Sequence, residues 1–173
     1  DCNGQNQRLV VSGSGIDLLG CWKNKYLYYQ ESEFLNNEVQ FNVWMYDMQS
    51  NQTIPLFEQQ IGTFRTYGNK IFYIKYKPGG STKECDLYSR NIDGSGEVLL
   101  SRDTYEFNII NNELYYAKYD NLLETNRDFY MEKSSLTGKN PIVLCDTIRT
   151  HIGVCQKIFD NKTSIVNYNY ISE

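Results

Sequence analysis

The stretch that decides the fold reads Asn91-Ile92-Asp93-Gly94-Ser95-Gly96-Glu97-Val98-Leu99-Leu100. An Asp-Gly pair between two apolar runs predicts a tight β-hairpin, because Gly readily adopts the positive φ angle that such turns need. Three other segments repeat this pattern around Gly4, around Gly138 and, with Ser in place of Gly, around Ser50. The four turn positions recur every 44 to 46 residues, and a fixed period of this size indicates a repeat protein.

An aromatic-rich triplet precedes each internal hairpin at the same period. It reads Leu27-Tyr28-Tyr29, Ile71-Phe72-Tyr73, Leu114-Tyr115-Tyr116 and Ile158-Phe159-Asp160. One strand-like segment lies before each triplet (15–22, 61–67, 105–110, 150–155) and another after it (43–46, 86–89, 128–131, 165–168). Each repeat therefore contains four short strands, which is typical of a β-propeller blade.

The composition supports an all-β chain. Among 173 residues there are 15 Tyr and 8 Phe, and aromatic residues suit half-buried pleated surfaces. The net charge is −4, with no cluster of Lys and Arg, which argues against nucleic acid and anionic membranes as partners. No apolar run reaches the roughly 18 residues that a membrane span requires.

The repeats predict a single domain of four blades at about 14–58, 61–101, 104–145 and 148–173. The last repeat ends before its fourth strand, but a copy of that strand, Gln7–Ser12, follows the turn at Gly4. We expect residues 1–12 to complete the last blade and close the propeller, which would remove open sheet edges. The alternatives are part of a larger or two-chain propeller and, less favoured, a β-sandwich.

The triplets resemble the second strand of YWTD-type propellers, and Asp93-Gly94 resembles the turn after the third strand of that family. A closer resemblance is to Tyr-rich bacterial propeller-like domains of the DUF5050 type. It spans nearly the whole chain and implies a propeller repeat. The chain departs from the YWTD pattern, since no triplet is followed by Thr-Asp and the first repeat lacks its Gly.

The cysteines and sequons bear on where the protein works. The five cysteines are Cys2, Cys21, Cys85, Cys145 and Cys155. They show no CxxC spacing, so we expect no zinc site and no other cofactor. Asn-x-Thr sequons at Asn51 and Asn161, together with a first residue Asp1 rather than Met, favour an extracellular or cell-surface protein. Disulfides and buried reduced cysteines both remain open.

Residues that could support catalysis are few and scattered. His151 is the only histidine, and its separation from Cys155 along one strand exceeds hydrogen-bond reach. Asp17 and Glu106 fall in first strands, which line a propeller channel, as does Arg65. Paired carboxylates can hydrolyse glycosides, but nothing in the spacing requires it. We therefore predict no catalytic residue and no metal ligand.

Loops that gather on one face of a propeller provide the stronger candidates for ligand binding. They contribute Phe34 beside Glu31 and Glu33, Tyr76 beside Lys77, Tyr119 beside Asp120, and Arg102 beside Asp103. Exposed rings with flanking polar groups suit contacts to protein or sugar. The predicted ligand-binding residues are thus Phe34, Tyr76, Tyr119, Arg65, Arg102, Asp17, Glu106 and His151.

These observations lead to one main functional hypothesis and two alternatives. The main one is a non-catalytic extracellular recognition module that binds protein or carbohydrate through the loop face or channel mouth. The first alternative is a hydrolase or lyase with a site at the channel mouth. The second is a structural blade segment of a larger surface protein.

Overall fold

The chain is built from β-strands. A computed structural model describes residues 9–13, 15–35, 38–77, 85–119 and 128–149. In this part of the chain twelve strands form three four-stranded sheets, and no helix is present. The prediction of an all-β fold is confirmed.

Each sheet is an antiparallel meander whose strands are hydrogen-bonded in chain order. The first contains β1 (Ile16–Trp22), β2 (Tyr26–Leu35), β3 (Glu38–Asp47) and β4 (Gln52–Phe57). The second contains β5 (Ile61–Tyr67), β6 (Lys70–Tyr76), β7 (Cys85–Asn91) and β8 (Val98–Ser101). The third contains β9 (Thr104–Ile110), β10 (Glu113–Tyr119), β11 (Asp128–Ser135) and β12 (Ile142–Arg149). The predicted four-strand unit is therefore present three times.

The chain divides into two compact units, Asp1–Gln60 with the first sheet and Ile61–Glu173 with the second and third. In the second unit, a core forms between the two sheets. Phe72 and Leu87 of the second sheet join Phe107, Leu114 and Tyr116 of the third sheet in one buried cluster. These side chains are at most 2% exposed, and burial of such large apolar groups is the main force that holds the two sheets together.

The aromatic triplets lie in the second strand of each sheet, as predicted. Ile71, Phe72 and Tyr73 are all fully buried, and so are Tyr28 and Leu114. The triplets that recur about every 44 residues thus mark buried positions on the central strands of the sheets.

The recurring Gly lies where the backbone turns from the third strand to the fourth. At Gly94 and Gly138 φ is +85° and +72°. In both turns the Gly N–H donates to the carbonyl three residues earlier, at 2.9 Å. A second bond closes each loop, from Asn91 N–H to Ser95 O and from Ser135 N–H to Lys139 O. This is a type I turn followed by a left-handed residue, a common three-residue hairpin loop.

The corresponding turn of the first sheet has a different geometry. Asp47 pairs with Gln52, which leaves a loop one residue longer, and the Asn51 N–H donates to the Asp47 carbonyl at 2.8 Å. The positive φ, +58°, lies at Asn51 rather than at Ser50. The expectation that Ser50 occupies the Gly position was wrong, because Asn tolerates the left-handed region far better than Ser does.

The fourth blade was predicted over 148–173 with 1–12, and most of it, including residues 150–173 and 1–8, lies outside the described residues. In the described part of the predicted N-terminal strand, residues 9–12 are not in a strand. β12 also runs past the expected boundary, since Ile148 pairs with Phe129 of β11. Ile148 therefore belongs to the third sheet.

Candidate functional site

The described residues bring two predicted loop segments together at one end of the second unit. Lys77 follows β6, and Asp103 lies in the turn between β8 and β9. The Lys77 Nζ atom lies 3.2 Å from Asp103 Oδ1 and 3.8 Å from Asp86 Oδ1. We call Lys77, Asp86 and Asp103 the Lys77 cluster. The end of β6 and the turn between β8 and β9 therefore lie together at one end of this sheet.

Asp86 is the buried member of this cluster. Its side chain is only 8% exposed, compared with 36% for Lys77. Asp86 Oδ1 accepts a hydrogen bond from the Asp103 N–H at 3.0 Å, and Asp103 has a φ of +54°. A buried carboxylate is tolerated when cations and N–H groups compensate for its lost hydration. Asp86 thus holds the turn in a left-handed conformation that a non-Gly residue seldom adopts.

Sequence reasoning missed Asp86, although a signal was available. The predicted third segments of two repeats, 86–89 and 128–131, both begin with Asp. A charged residue that recurs at one strand position is such a signal, because charged residues are rarely buried unless they are paired.

Cys85, next to Asp86, is unsuited to nucleophilic chemistry. It is 1% exposed, and its thiol donates to the Thr104 carbonyl oxygen at 3.1 Å. Burial, with additional effects from Asp86 and Asp103, raises the pKa of the Cys85 thiol to about 12. Because the thiolate is the reactive form, this cysteine is inert at neutral pH and serves as a small packed group.

The predicted binding residues near this end differ in exposure. Arg102 is exposed in the turn beside Asp103. Tyr76 is half-buried and packs against the core, and burial raises its pKa. Tyr119 is only 7% exposed, with its ring centroid 4.9 Å from that of Phe129. The expectation of an exposed loop tyrosine at Tyr119 was wrong, because its ring completes the core at the end of β10.

Of the predicted channel-mouth residues, Arg65 and Glu106 are described in the second unit. Glu106 Oε1 accepts from Thr63 Oγ1 at 2.6 Å and from the Phe107 N–H at 3.1 Å, a link between β5 and β9. Arg65 is exposed and donates to the Phe64 carbonyl. Asp17 is exposed on β1 of the other unit. His151 lies outside the described residues, so the hydrolase alternative remains a prediction.

A second charged group, centred on Glu97, was not predicted. Lys75 Nζ and Arg90 Nε lie 3.0 and 3.2 Å from its carboxylate, and the buried Tyr73 hydroxyl also donates to it. Burial and then the Glu97 carboxylate raise the pKa of Tyr73. Burial opposes ionisation of Glu97, but hydrogen bonds from Tyr73 and Lys75 and the two cations outweigh it and lower its pKa. Both cations contact this one carboxylate, which supports a structural role for the group.

The described residues also form two shallow grooves, neither of which includes a residue of the Lys77 cluster. One, of about 250 Å³, is lined by residues of the third sheet such as Glu113 and Lys133. The other, of about 370 Å³, lies beside Trp44 and Phe57 in the first unit. Neither contains a predicted binding residue.

The described residues contain no group of three or more His, Cys, Asp or Glu side chains that could hold a metal ion. Among the same residues, no helix is long and apolar enough to cross a membrane. Neither the models of known protein families nor the curated protein sequences give a match to this chain.

Proposed function

We propose that this protein is a non-catalytic extracellular recognition module that binds protein or carbohydrate through the end of the second unit at the Lys77 cluster. The observation that supports this most directly is the Lys77 cluster itself. A half-exposed ammonium group sits there over a buried carboxylate, beside the exposed Arg102. Ion pairs and a hydrogen bond thus hold polar groups at the end of a sheet, an arrangement suited to a binding site.

The chemistry of this end favours binding over turnover. Its thiol is protonated at neutral pH, given the pKa of about 12, and its carboxylates are engaged with Lys77 and a backbone N–H. General acid–base or nucleophilic catalysis needs a group poised to exchange a proton or attack. Recognition of a ligand by charge and hydrogen bonds needs only charged and polar groups such as those of the Lys77 cluster.

The proposal includes a propeller architecture of the YWTD-like or DUF5050 type. Three four-stranded antiparallel meanders at one period support it, together with the core shared by the second and third sheets. Closure by residues 1–12 is part of the proposal. If these residues supply the outermost strand of a fourth blade, their deletion lowers the urea midpoint of unfolding. An unchanged midpoint would contradict closure.

Binding is tested with the full chain immobilised against a glycan array and a random-peptide phage library. At least one ligand captured on either should lose at least tenfold in affinity on Lys77→Ala and on Arg102→Ala. Lys139→Ala is the matched control, since Lys139 is an exposed lysine in the turn between β11 and β12. Equal binding by all three variants would refute the assigned site. Turnover of any hydrolase substrate that disappears in Glu106→Gln or His151→Asn would refute the non-catalytic assignment.

A further inference from the structure

A two-stranded arm of the first unit extends beyond the four-stranded part of its sheet. β2 and β3 each contain 10 residues, and their pairing continues from Ser32–Phe41 to Leu35–Glu38. Pairing of β1 with β2 stops at Glu31, and pairing of β4 with β3 stops at Val43. We call residues 32–35 and 38–41 the hairpin arm. Among the described residues, the corresponding strands of the other two sheets have only 7 or 8 residues.

The base of the arm is held in place by Gly15. The Gly15 carbonyl accepts from the Ser32 N–H at 2.8 Å and from the Ser32 hydroxyl at 3.2 Å. Gly15 has a φ of +76°, and a Cβ atom there would lie 2.5 Å from Ser32 Oγ. Only Gly allows this close approach, so the arm is anchored by a backbone contact that the sequence specifies.

One side of the arm exposes apolar groups directly opposite each other. Phe34 is 70% exposed and Val39 is 53% exposed, and they are cross-strand partners. Cross-strand partners have neighbouring side chains on one face of the sheet. A large exposed ring on a protruding, anchored element is the type of residue that dominates the binding energy of protein interfaces.

The charge around this apolar pair has one sign. From Tyr26 to Gln60 the chain contains no Lys and no Arg, but it does contain Glu31 next to the arm and Glu33 within it. Because side chains alternate along a strand, these two carboxylates lie on the face opposite Phe34, where a partner that surrounds the arm would meet them. Glu58 follows β4, whose end at Phe57 pairs with Val43 near the base of the arm. Complementary potentials steer partners together, and like charges exclude them.

We propose that the hairpin arm inserts Phe34 into an apolar pocket on a partner protein, and that Lys and Arg side chains rim that pocket. The inference rests on the proposed recognition function and adds to it a surface and a partner class. Phe34 and Val39 together are too small to provide the roughly 800 Å² per partner of a standard interface. They therefore act as an anchor that a concave partner surrounds. An arm-to-arm contact with a second copy of this chain, or an anionic membrane, would bring like charges together.

The test is a selection from a random dodecapeptide phage library on the immobilised full chain. Counter-selection uses the double variant Phe34→Ser/Val39→Ser. We expect the enriched peptides to combine aromatic or aliphatic residues with Lys or Arg. Measured by fluorescence anisotropy, a synthetic peptide from this pool should bind at least tenfold more weakly to Phe34→Ser and about threefold more weakly to Glu33→Gln. Its affinity should also fall as salt increases, because rim charges are screened.

The matched control is Leu18→Ser, since Leu18 is 68% exposed on β1 of the same sheet but lies outside the arm. It should bind the peptide as the wild type does, and all variants should unfold at the same urea midpoint. Lys77→Ala should also bind normally. A selected peptide that loses affinity on Lys77→Ala but not on Phe34→Ser would refute the proposal for the arm and leave the site at the Lys77 cluster standing. The opposite pattern would support the arm without testing the Lys77 cluster.

Several results would overturn the proposal. One is a selected pool without basic residues, or no peptide that distinguishes wild type from the double variant. Another is a concentration-dependent dimer, seen by sedimentation, that Phe34→Ser abolishes. A third is cosedimentation with phosphatidylcholine vesicles that depends on Phe34, which would assign the arm to lipid.

Discussion

Gly138 allows its own turn and also allows that turn to pack against β8, and the effect of this packing on stability can be measured. It lies in the loop between β11 and β12 with a φ of +72°, and a Cβ atom built there would lie 2.6 Å from the Leu100 carbonyl oxygen of β8. Real Cβ contacts essentially never come below 3.0 Å. The turn of the third sheet therefore rests directly on the outer strand of the second sheet, and Leu100 and Leu136 both pack on the shared core there.

Gly68 provides a matched comparison in the same unit. Its φ is +58°, but a Cβ atom there would meet nothing within 4 Å. Gly68→Ala should therefore cost only the strain of a left-handed Ala, about 1–2 kcal/mol. Gly138→Ala should cost the same strain plus about 1–3 kcal/mol of overpacking, because the atom in the way is backbone. That carbonyl cannot move without disturbing the pairing of Leu87 with Ser101 and of Tyr88 with Leu99.

The assay is urea unfolding of wild type and both variants, followed by far-UV circular dichroism. Loss of Gly changes the entropy of the unfolded chain equally in both variants, so this effect cancels in the comparison. With a slope of about 2 kcal/mol/M, Gly138→Ala should unfold at a midpoint ~0.5–1.5 M below that of Gly68→Ala. Equal midpoints would refute the contact between the turn and β8, and with it this packing of the two sheets.

Two further predictions concern titration. The pKa of Glu97 is lowered from its ordinary value of 4.5, so its stabilising effect is present above that value and disappears as pH falls through the lower folded pKa. Glu97→Gln should therefore lose less stability than wild type between pH 7 and pH 3 in urea unfolding, whereas Glu58→Gln, an exposed control, should behave as wild type. Because its pKa is raised to about 12, Cys85 should resist iodoacetamide at pH 8 in the native protein and react after unfolding; mass spectrometry of native-state digests showing a labelled Cys85 would contradict its burial.

The sequence predicted the strands well because one physical constraint acts at every repeat. Buried triplets such as Ile71-Phe72-Tyr73 need large apolar groups in a fixed register, and a hairpin needs a residue that tolerates positive φ. Because both constraints act in every repeat, the same residue types recur at the period of the repeat. β5 accordingly has the predicted bounds, Ile61–Tyr67.

The sequence predicted the site less well because side-chain exposure depends on neighbours distant in the chain. Tyr119 and Tyr76 both end a second strand beside a loop, and nothing local separates them. In the structure the rings of Tyr105 and Phe129 enclose Tyr119, whereas Phe34 is left exposed. The difference arises from which sheet faces are covered, which is a property of packing between elements.

The departures from the repeat are therefore the best guide to function. Positions that recur, such as Phe72 and Leu114, serve the core that the two sheets of the second unit share. A residue under that packing constraint has little freedom to serve a ligand. In the described residues, Lys77 follows the second strand of the second sheet alone, and the four extra pairs of the hairpin arm are seen in the first sheet. Neither feature belongs to the shared core, and the proposed binding function offers a physical reason for both.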